Sequence, residues 1–374
     1  MSAFGPNTLA ALCMLSKTTC NVMTPMVMSF YSKINGDTAK LKDDKSVFTI
    51  ADGLVQHLLV NHLFRDKFKD VIGEEDETNV NINTKPYTVD DLVVPEEFYD
   101  NIDKVRADID ALYEQIDATA YKNISVFIDP IDGTREFSTG IFFFVISGLG
   151  EQCSVCIGFS DLAGIPVAGL VYRPITEPPT WAAGAPAEQW VASELDMAAT
   201  PKPNGFLTSN GSISKFIEKL MTELNFERVP SGGAGNKMLM LLEGKGGCYI
   251  QDRGVSRWDT CGAQAVIAAH GGHLGKLSSF ISNNGAIESY TYLKSDLNLD
   301  FVPSLANLTP YNTVDKSLVK KGVVAVADTV EKVKKYSNLC GLFAVASANA
   351  SPDALTSMHA AIERTKAVHP PSYD

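Results

Sequence analysis

A short run of residues near the middle of the chain joins two carboxylates through a turn. Asp129 and Asp132 follow an apolar segment and are separated by Pro130 and Ile131. Because the proline ring fixes the backbone, both carboxylates and the Ile131 carbonyl can converge on one side of the turn. Carboxylate and carbonyl oxygens are hard ligands that suit Mg²⁺, so this spacing indicates a magnesium site.

The two residues after this pair could hold a phosphate. Gly133 and Thr134 lie at the predicted start of a helix. There the backbone N–H groups point outward and the helix dipole favours an anion. Metal and phosphate would then lie side by side. The alternative interpretation is an Asp-rich turn with a helix N-cap.

Two further acidic motifs lie far from the first in sequence. Glu74 and Glu75 come just after an apolar pair, and Asp259 opens an apolar helical segment. Carboxylates at strand ends and helix starts are ordinary surface residues, so neither motif would indicate much alone. Because Glu74 and Asp259 could complete the cluster around Asp129, the three motifs together predict a metal centre.

The elements that must position these motifs change in character along the chain. Helical spacing predicts helices over 7–32 and 49–68, and residues 76–122 form an acidic insertion or lid with a charged helix near 101–118. Apolar segments with glycines then predict a sheet. After a proline-rich connection at 174–186, strands and helices alternate, which favours a layered α/β arrangement. The predicted strands are 126–128, 142–146, 155–159, 167–172, 205–208, 248–251 and 322–327, and the later helices are 213–224, 237–243, 258–270, 329–339 and 352–366.

Composition limits the classes of partner. The 374 residues carry a net charge of -12, whereas non-specific binding to nucleic acid or membrane needs a surplus of Lys and Arg. An acidic protein that acts on phosphates must attract them locally, and bound cations can do this. The seven cysteines are odd in number and scattered, which predicts a reduced, cytoplasmic protein. We expect a monomer or homodimer that binds a small phosphorylated substrate.

The three acidic motifs resemble, in type and order, the signature of the inositol monophosphatase superfamily, the lithium-inhibited magnesium phosphatases. The resemblance spans about residues 45–275. It implies an α/β (α+β) fold in five layers, α-β-α-β-α, with two sheets, and two or three Mg²⁺ ions with lithium as an inhibitor. An N-terminal α+β half, 1–175, would hold most of the metal motifs. A C-terminal α/β half, 176–374, would hold the substrate segment and the last metal aspartate.

The same resemblance implies a role for each matching residue. Asp129 would bridge two ions. Asp52, Glu74 and Thr134 are the candidates for orienting or deprotonating the attacking water. The expected metal ligands are Glu74, Glu75, Asp129, the Ile131 carbonyl, Asp132 and Asp259.

The expected substrate is a small bisphosphate of one of two kinds. The glycine-rich run 232–237 is similar to the corresponding segment of 3'(2'),5'-bisphosphate nucleotidases, which favours removal of the 3'-phosphate of adenosine 3',5'-bisphosphate. The alternative interpretation of this run is a tight strand-to-helix connection without a role in binding. The segment 49–56 and the tail beyond 320 resemble inositol polyphosphate 1-phosphatase, which makes inositol 1,4-bisphosphate the alternative substrate. A non-catalytic bisphosphate sensor is the third hypothesis. The expected substrate-binding residues are Gly133, Thr134, Ser209, Gly233, Lys237 and Arg257.

Overall fold

The computed structural model of the chain describes residues 5, 7–42, 47–138, 149–252, 255–293, 337–338 and 340–371. The strands predicted at 142–146 and 322–327 and most of the helix predicted at 329–339 lie outside these residues. The end of that predicted helix is wrong, because Ser337–Asn338 pairs as a strand with Val255–Ser256.

Several helices begin at polar caps that the sequence supplies. Thr8 caps the first helix by accepting a hydrogen bond from the Ala11 N–H, and Thr49 forms a capping box with Asp52 at the second. The second helix continues as a π-helical turn, Leu59–Phe64, so both helices predicted ahead of the first sheet are confirmed. The α-helices of the described residues are α1 (Leu9–Lys33), α2 (Ile50–Leu58), α3 (Tyr99–Tyr113), α4 (Ala118–Tyr121), α5 (Thr134–Phe137), α6 (Lys215–Leu224), α7 (Ala234–Leu242), α8 (Arg257–Ala269), α9 (Leu277–Ser282) and α10 (Pro352–Lys366).

All five predicted strands that fall on described residues recur in the structure. Those at 126–128, 155–159, 167–172, 205–208 and 248–251 are confirmed. The strands are β1 (Ala39–Leu41), β2 (Val47–Thr49), β3 (Asp70–Gly73), β4 (Val80–Asn81), β5 (Thr88–Val89), β6 (Leu92–Val93), β7 (Ser125–Asp132), β8 (Ser154–Ser160), β9 (Pro166–Arg173), β10 (Thr180–Ala185), β11 (Trp190–Glu194), β12 (Gly205–Thr208), β13 (Glu227–Pro230), β14 (Cys248–Gln251), β15 (Val255–Ser256), β16 (His273–Lys276), β17 (Ser337–Asn338) and β18 (Leu342–Val345).

Two large sheets organise the molecule. The first has the order β11-β10-β9-β8-β7-β3, with β3 and β7 parallel and the other neighbours antiparallel. The second has the order β13-β12-β14-β18-β16, in which β12 runs parallel to β13 and β14. The boundary predicted after residue 175 falls in the connection between β9 and β10, both of which belong to the first sheet.

Helices cover both sheets and separate them. On the outer face of the first sheet, α1 and α2 share a buried core with the strands. Between the sheets lie α7 and α8, where Met238 and Val266 join one buried cluster with Val171 of the first sheet. Phe280 and Ile362, from α9 and α10, are buried against the far face of the second sheet. The layer order is therefore α-β-α-β-α, as the resemblance implied.

The acidic insertion at 76–122 is built into the first core. It folds as a three-stranded sheet, β4-β5-β6, followed by α3 and α4. Although α3 is rich in charge, its Ile102 and Ile109 side chains are buried in the same core as α1 and α2. Apolar residues on one face of a charged helix therefore fix the insertion to the body of the protein.

Candidate metal centre

The first carboxylates come together because they directly follow the last paired residues of two parallel strands, β3 and β7. In the register of β3 and β7, Gly73 lies opposite Ile128. The next residues along the two strands are Glu74 and Asp129, and the Glu74 N–H donates to the Ile128 carbonyl at 3.1 Å. Because residues at matching positions of paired parallel strands lie side by side, two motifs distant in sequence become neighbours.

A β-bulge turns the second aspartate toward the first. Between β7 and β8 the register passes from Asp129 opposite Cys156 to Asp132 opposite Ser154, so three steps on one strand match two on the other. Side chains three residues apart on a regular strand point to opposite faces. The extra residue of the bulge brings both carboxylates to the same side. The Ile131 N–H donates to Asp129 Oδ1 at 3.1 Å within this bulge.

The third aspartate arrives on α8 because glycines allow that helix to lie directly on the sheet. A Cβ added to Gly158 on β8 or to Gly169 on β9 would overlap the backbone of Gly262 in α8. Asp259 lies one turn before Gly262 and accepts a hydrogen bond from the Ser256 N–H at 2.6 Å. The close helix–sheet contact therefore carries the Asp259 carboxylate to the edge where β7 ends.

Three carboxylates converge as a candidate cation site. Asp129, Asp132 and Asp259 each offer an oxygen, and these oxygens all lie within 4.8 Å of one another. Burial, with repulsion from Glu74 and Asp132, raises the pKa of Asp129 well above its usual range. Burial likewise raises the pKa of Glu74 to about 8 and that of Asp259 to about 6. A buried set of hard oxygens that repel one another fits a divalent cation such as Mg²⁺.

We expect Mg²⁺ to stabilise the protein more at pH 8 than at pH 5. Without a cation, the folded state keeps protons on Glu74, Asp129 and Asp259 that the unfolded chain releases above about pH 4. The stability that these three carboxyl groups contribute is fully present below about pH 4. It is lost as the pH rises through their raised pKa values, about 6 to 8. Thermal unfolding with EDTA or Mg²⁺ at both pH values measures this. Asp129→Asn should shrink the Mg²⁺ shift, and equal shifts at both pH values would contradict the assignment.

The second acidic motif is held by partners that the sequence did not indicate. Lys42 Nζ lies 3.8 Å from Glu74 Oε1 and pairs more closely with Glu75. Gln56 accepts a hydrogen bond from the Glu75 N–H at 2.8 Å and donates to Asp76 at 3.1 Å. Lys42 lies outside the recognised motifs, and Gln56 is the last residue of the segment 49–56, so only their spatial position reveals their contacts with the acidic motif. The lysine ammonium partly compensates the two glutamates.

The predicted water-activating residues are in direct contact. Thr134 Oγ1 donates toward Asp52 Oδ1 at 3.0 Å and toward the Ile131 carbonyl at 2.9 Å, so one hydroxyl hydrogen has two acceptors. The Thr49 N–H donates to the other Asp52 oxygen at 2.8 Å as part of the capping box of α2. Burial and the charge of Glu75 raise the pKa of Asp52 to about 7.

The glycine-rich run meets the metal site through its backbone. Gly133 and Gly233 have positive φ values of 90° and 61° and directly precede α5 and α7. The Ala234 and Gly235 N–H groups, in the first turn of α7, donate to Asp132 Oδ1 and Oδ2, both at 2.7 Å. The run therefore does more than connect a strand to a helix, because it binds both oxygens of a candidate ligand.

Two basic residues that were predicted to bind the substrate donate hydrogen bonds to backbone carbonyls of the protein. Lys237 is 3% exposed, and its ammonium donates to the Ser231 carbonyl at 3.2 Å and to the Gly233 carbonyl. Burial lowers its pKa to about 8. Arg257 is 0% exposed and donates to the Leu293 carbonyl. Neither charged group faces solvent, because the first turns of α7 and α8, which carry them, are packed between the two sheets.

The remaining predicted residue, Ser209, is exposed and lines a crevice of about 220 Å³. This crevice lies at the carboxyl ends of the parallel strands β12 and β14. Asn210, beside Ser209, donates to Glu136 of α5 at 2.9 Å, so the crevice loop adjoins the helix that starts at Thr134. Its polar lining residues are Thr208, Ser209, Ser212, Ser214, Tyr249, Gln251 and Asp252.

Family comparison agrees with this site. The inositol monophosphatase family matches residues 12–286, a segment that contains the three converging aspartates, Asp52 and Thr134. The chain belongs to the inositol monophosphatase family. Members of this family are phosphatases. The carboxylate cluster beside the threonine–aspartate hydrogen bond is therefore the candidate active site. Within the described residues, no helix is both long and apolar enough to cross a bilayer.

Similar proteins include nucleotidases and an inositol phosphatase. Over 240 residues the chain is 28% identical to 3'(2'),5'-bisphosphate nucleotidase 1 of Mus musculus, covering 60% of the chain and 70% of that relative. It is 27% identical over 268 residues to the Golgi-resident adenosine 3',5'-bisphosphate 3'-phosphatase of Mus musculus, with 70% and 66% covered. The crystal structure of staphylococcal inositol monophosphatase-1 superposes with a TM-score of 0.50 at 11% identity, covering 94% and 95%, which supports the fold alone.

Proposed function

We propose that this member of the inositol monophosphatase family hydrolyses the 3'-phosphate of adenosine 3',5'-bisphosphate, with Mg²⁺ as cofactor. The observation that carries the proposal is the convergence of Asp129, Asp132 and Asp259 next to the hydrogen bond between Thr134 and Asp52. The nucleotide is supported by the names of two relatives, a bisphosphate nucleotidase and an adenosine 3',5'-bisphosphate 3'-phosphatase.

The proposed chemistry divides between cation and protein. Bound Mg²⁺ would neutralise the phosphate oxygens and favour attack by water. Thr134 would orient that water and accept one of its protons at Oγ1, while its own hydrogen passes to Asp52 Oδ1, 3.0 Å away. A pKa of about 7 lets Asp52 take up a proton near neutral pH. The backbone N–H groups of Gly133 and Thr134 would bind the phosphate at the start of α5.

The rest of the substrate would lie in the crevice beside Ser209. Its hydroxyl and carboxylate lining can accept and donate hydrogen bonds to sugar hydroxyls. The same lining also suits a cyclic polyol, and this observation favours inositol 1,4-bisphosphate as the second candidate. Asn210 and Glu136 would connect recognition in the crevice to the phosphate turn.

A substrate panel tests the choice. We expect kcat/KM with Mg²⁺ to be highest for adenosine 3',5'-bisphosphate, lower for inositol 1,4-bisphosphate and lowest for an aryl phosphate. The reason is that only the first two fill the crevice as well as the phosphate turn. A strong preference for the inositol would replace the nucleotide proposal. Tight binding of either compound without phosphate release would indicate a sensor instead.

Lithium at millimolar concentration should inhibit the reaction, and the degree of inhibition should depend on the Mg²⁺ concentration. The physical reason is that a small monovalent cation can enter a carboxylate site without supplying the charge of Mg²⁺. Initial rates across a lithium series at several Mg²⁺ concentrations measure this, with sodium as the control. Insensitivity would leave the phosphatase activity in place but exclude lithium as an inhibitor of this member.

A further inference from the structure

Asp132 has three hydrogen bonds that fix its orientation. Its two oxygens accept from the backbone N–H groups of Ala234 and Gly235, each at 2.7 Å, and Oδ2 also accepts from Ser154 Oγ at 2.8 Å. With Oδ2 bound twice, Oδ1 keeps lone-pair capacity toward Asp129 and Asp259. The direction of that lone pair therefore depends on where the first turn of α7 is held.

Two side chains of the same helical turn hold the loop that precedes it. Asn236 Nδ2 donates to Ser231 Oγ at 2.8 Å and to the Gly232 carbonyl at 2.9 Å. The Lys237 ammonium donates to the Ser231 and Gly233 carbonyls. Both side chains are 3% exposed. Asn236 and Lys237 thus close the run 231–233 onto α7, and we call these two residues the loop clamp.

A buried ion pair between Arg173 and Glu243 holds Asn236 of the loop clamp. Arg173 Nε donates to Asn236 Oδ1 at 2.7 Å, and Nη2 donates to the Asn236 carbonyl at 3.1 Å. The same guanidinium pairs with Glu243 at 2.6 Å, and the Glu243 side chain is fully buried. A bidentate, buried guanidinium allows little movement of its partners. Arg173 and Asn236 also border a cavity of about 700 Å³, which gives water access to this side of the loop.

We propose that the loop clamp, fixed by Arg173, is a positioning device that aims Asp132 at the cation. The chain of contacts runs from Arg173 through Asn236 and the loop to the two N–H groups that hold Asp132. The inference rests on the cation-dependent site of the proposed function, but it does not depend on which phosphate ester is cleaved. Partners that orient a metal ligand commonly change metal affinity by about 10–100-fold when they are altered.

Two substitutions separate positioning from charge. Asn236→Asp keeps the acceptor for Arg173 but replaces the donor that holds the Gly232 carbonyl. Lys237→Met keeps the length of the side chain and removes the ammonium. The first adds a negative charge near the site and the second removes a positive one, so charge alone would tighten cation binding in both. Positioning predicts the opposite, a rise of about tenfold or more in the Mg²⁺ concentration that gives half of the maximal thermal stabilisation.

The experiment titrates Mg²⁺ against the thermal midpoint of the full chain and compares each variant with its own EDTA midpoint. Thr180→Val is the matched control, because it removes the hydrogen bond that Arg173 Nη1 donates to Thr180 Oγ1. The contacts of Arg173 with Asn236 are made by Nε and Nη2 and should stay in place. This control should keep the wild-type Mg²⁺ midpoint. Combined with Asp132→Asn, Asn236→Asp should have little further effect, since the clamp acts through Asp132.

The outcomes distinguish the two proposals. Unchanged or tighter Mg²⁺ midpoints in both clamp variants would overturn the positioning role, even if their EDTA midpoints fell. Weakened midpoints would support it, whether or not the wild type cleaves adenosine 3',5'-bisphosphate. If only one variant can be purified folded, its Mg²⁺ midpoint decides, because the two substitutions remove independent halves of the same clamp.

Discussion

We expect Asp129→Asn to abolish the proposed phosphatase turnover and to leave the fold intact. Asp129 lies in β7 just beyond the last residue paired with β3, beside Glu74, and shares the candidate cation site with Asp132 and Asp259. Removing its charge should lower kcat by at least about a thousandfold, which corresponds to about 4 kcal/mol of transition-state stabilisation. The fold should persist, because the asparagine oxygen can still accept the Ile131 N–H. In EDTA above about pH 4 the variant should be more stable than wild type, since asparagine replaces a buried carboxyl group that must keep its proton in the folded state.

The matched control is Asp161→Asn. Asp161, like Asp129, accepts backbone N–H groups through its carboxylate, here from Ala163 and Ile165, but it lies at a surface turn away from the acidic cluster. It should keep wild-type kcat and Mg²⁺ response. Initial rates at saturating Mg²⁺ decide the matter: more than about a tenth of the wild-type rate in Asp129→Asn would remove that residue from the cation site.

We expect Thr134→Val to lower kcat by about 10²–10⁴-fold while Mg²⁺ binding stays near that of wild type. The hydroxyl of Thr134 is the group that would pass a proton to Asp52, and valine preserves the shape of the side chain without it. Thr134→Ser keeps the hydroxyl and should retain most of the activity. Asp52→Asn should cost a similar factor. Because the two residues move the same proton, the double variant should be no slower than the slower single variant.

Thr119→Val is the control for this pair. Thr119 also donates to an aspartate, Asp117, but on the surface, and its loss should leave kcat unchanged. Rates of the single and double variants, together with Mg²⁺ titration by thermal unfolding, give the answer. Additive losses, or a large change in the Mg²⁺ midpoint of Thr134→Val, would show that Thr134 supports the site rather than handling a proton.

The sequence by itself determined the elements and the acidic motifs. The helices at the start of the chain and strands β7, β8, β9, β12 and β14 follow from local apolar spacing, which is a property of neighbouring residues. The order of the three carboxylate motifs was sufficient to predict the family. Proline and glycine at fixed offsets predicted a turn between Asp129 and Asp132, and this prediction was wrong, because pairing with β8 continues β7 through a bulge to Asp132.

Only the tertiary structure decided how the side chains are used. The bulge that aligns Asp129 with Asp132 depends on pairing with β8, and the reach of Asp259 depends on glycines of three different elements. A lysine side chain is long enough to meet either a ligand or its own loop. Packing between the sheets decides this for Lys237, whose ammonium binds loop carbonyls.

The partners Lys42, Gln56 and Arg173 have the same explanation. Lys42 pairs with a residue 33 positions away, and Arg173 contacts one 63 positions away. No local pattern encodes such a distance, because sequence periodicity reports only which face of an element is buried. The sequence therefore supplied the ligands of the candidate site, while their orientation, charge compensation and support arise from contacts that exist only once the five layers have packed together.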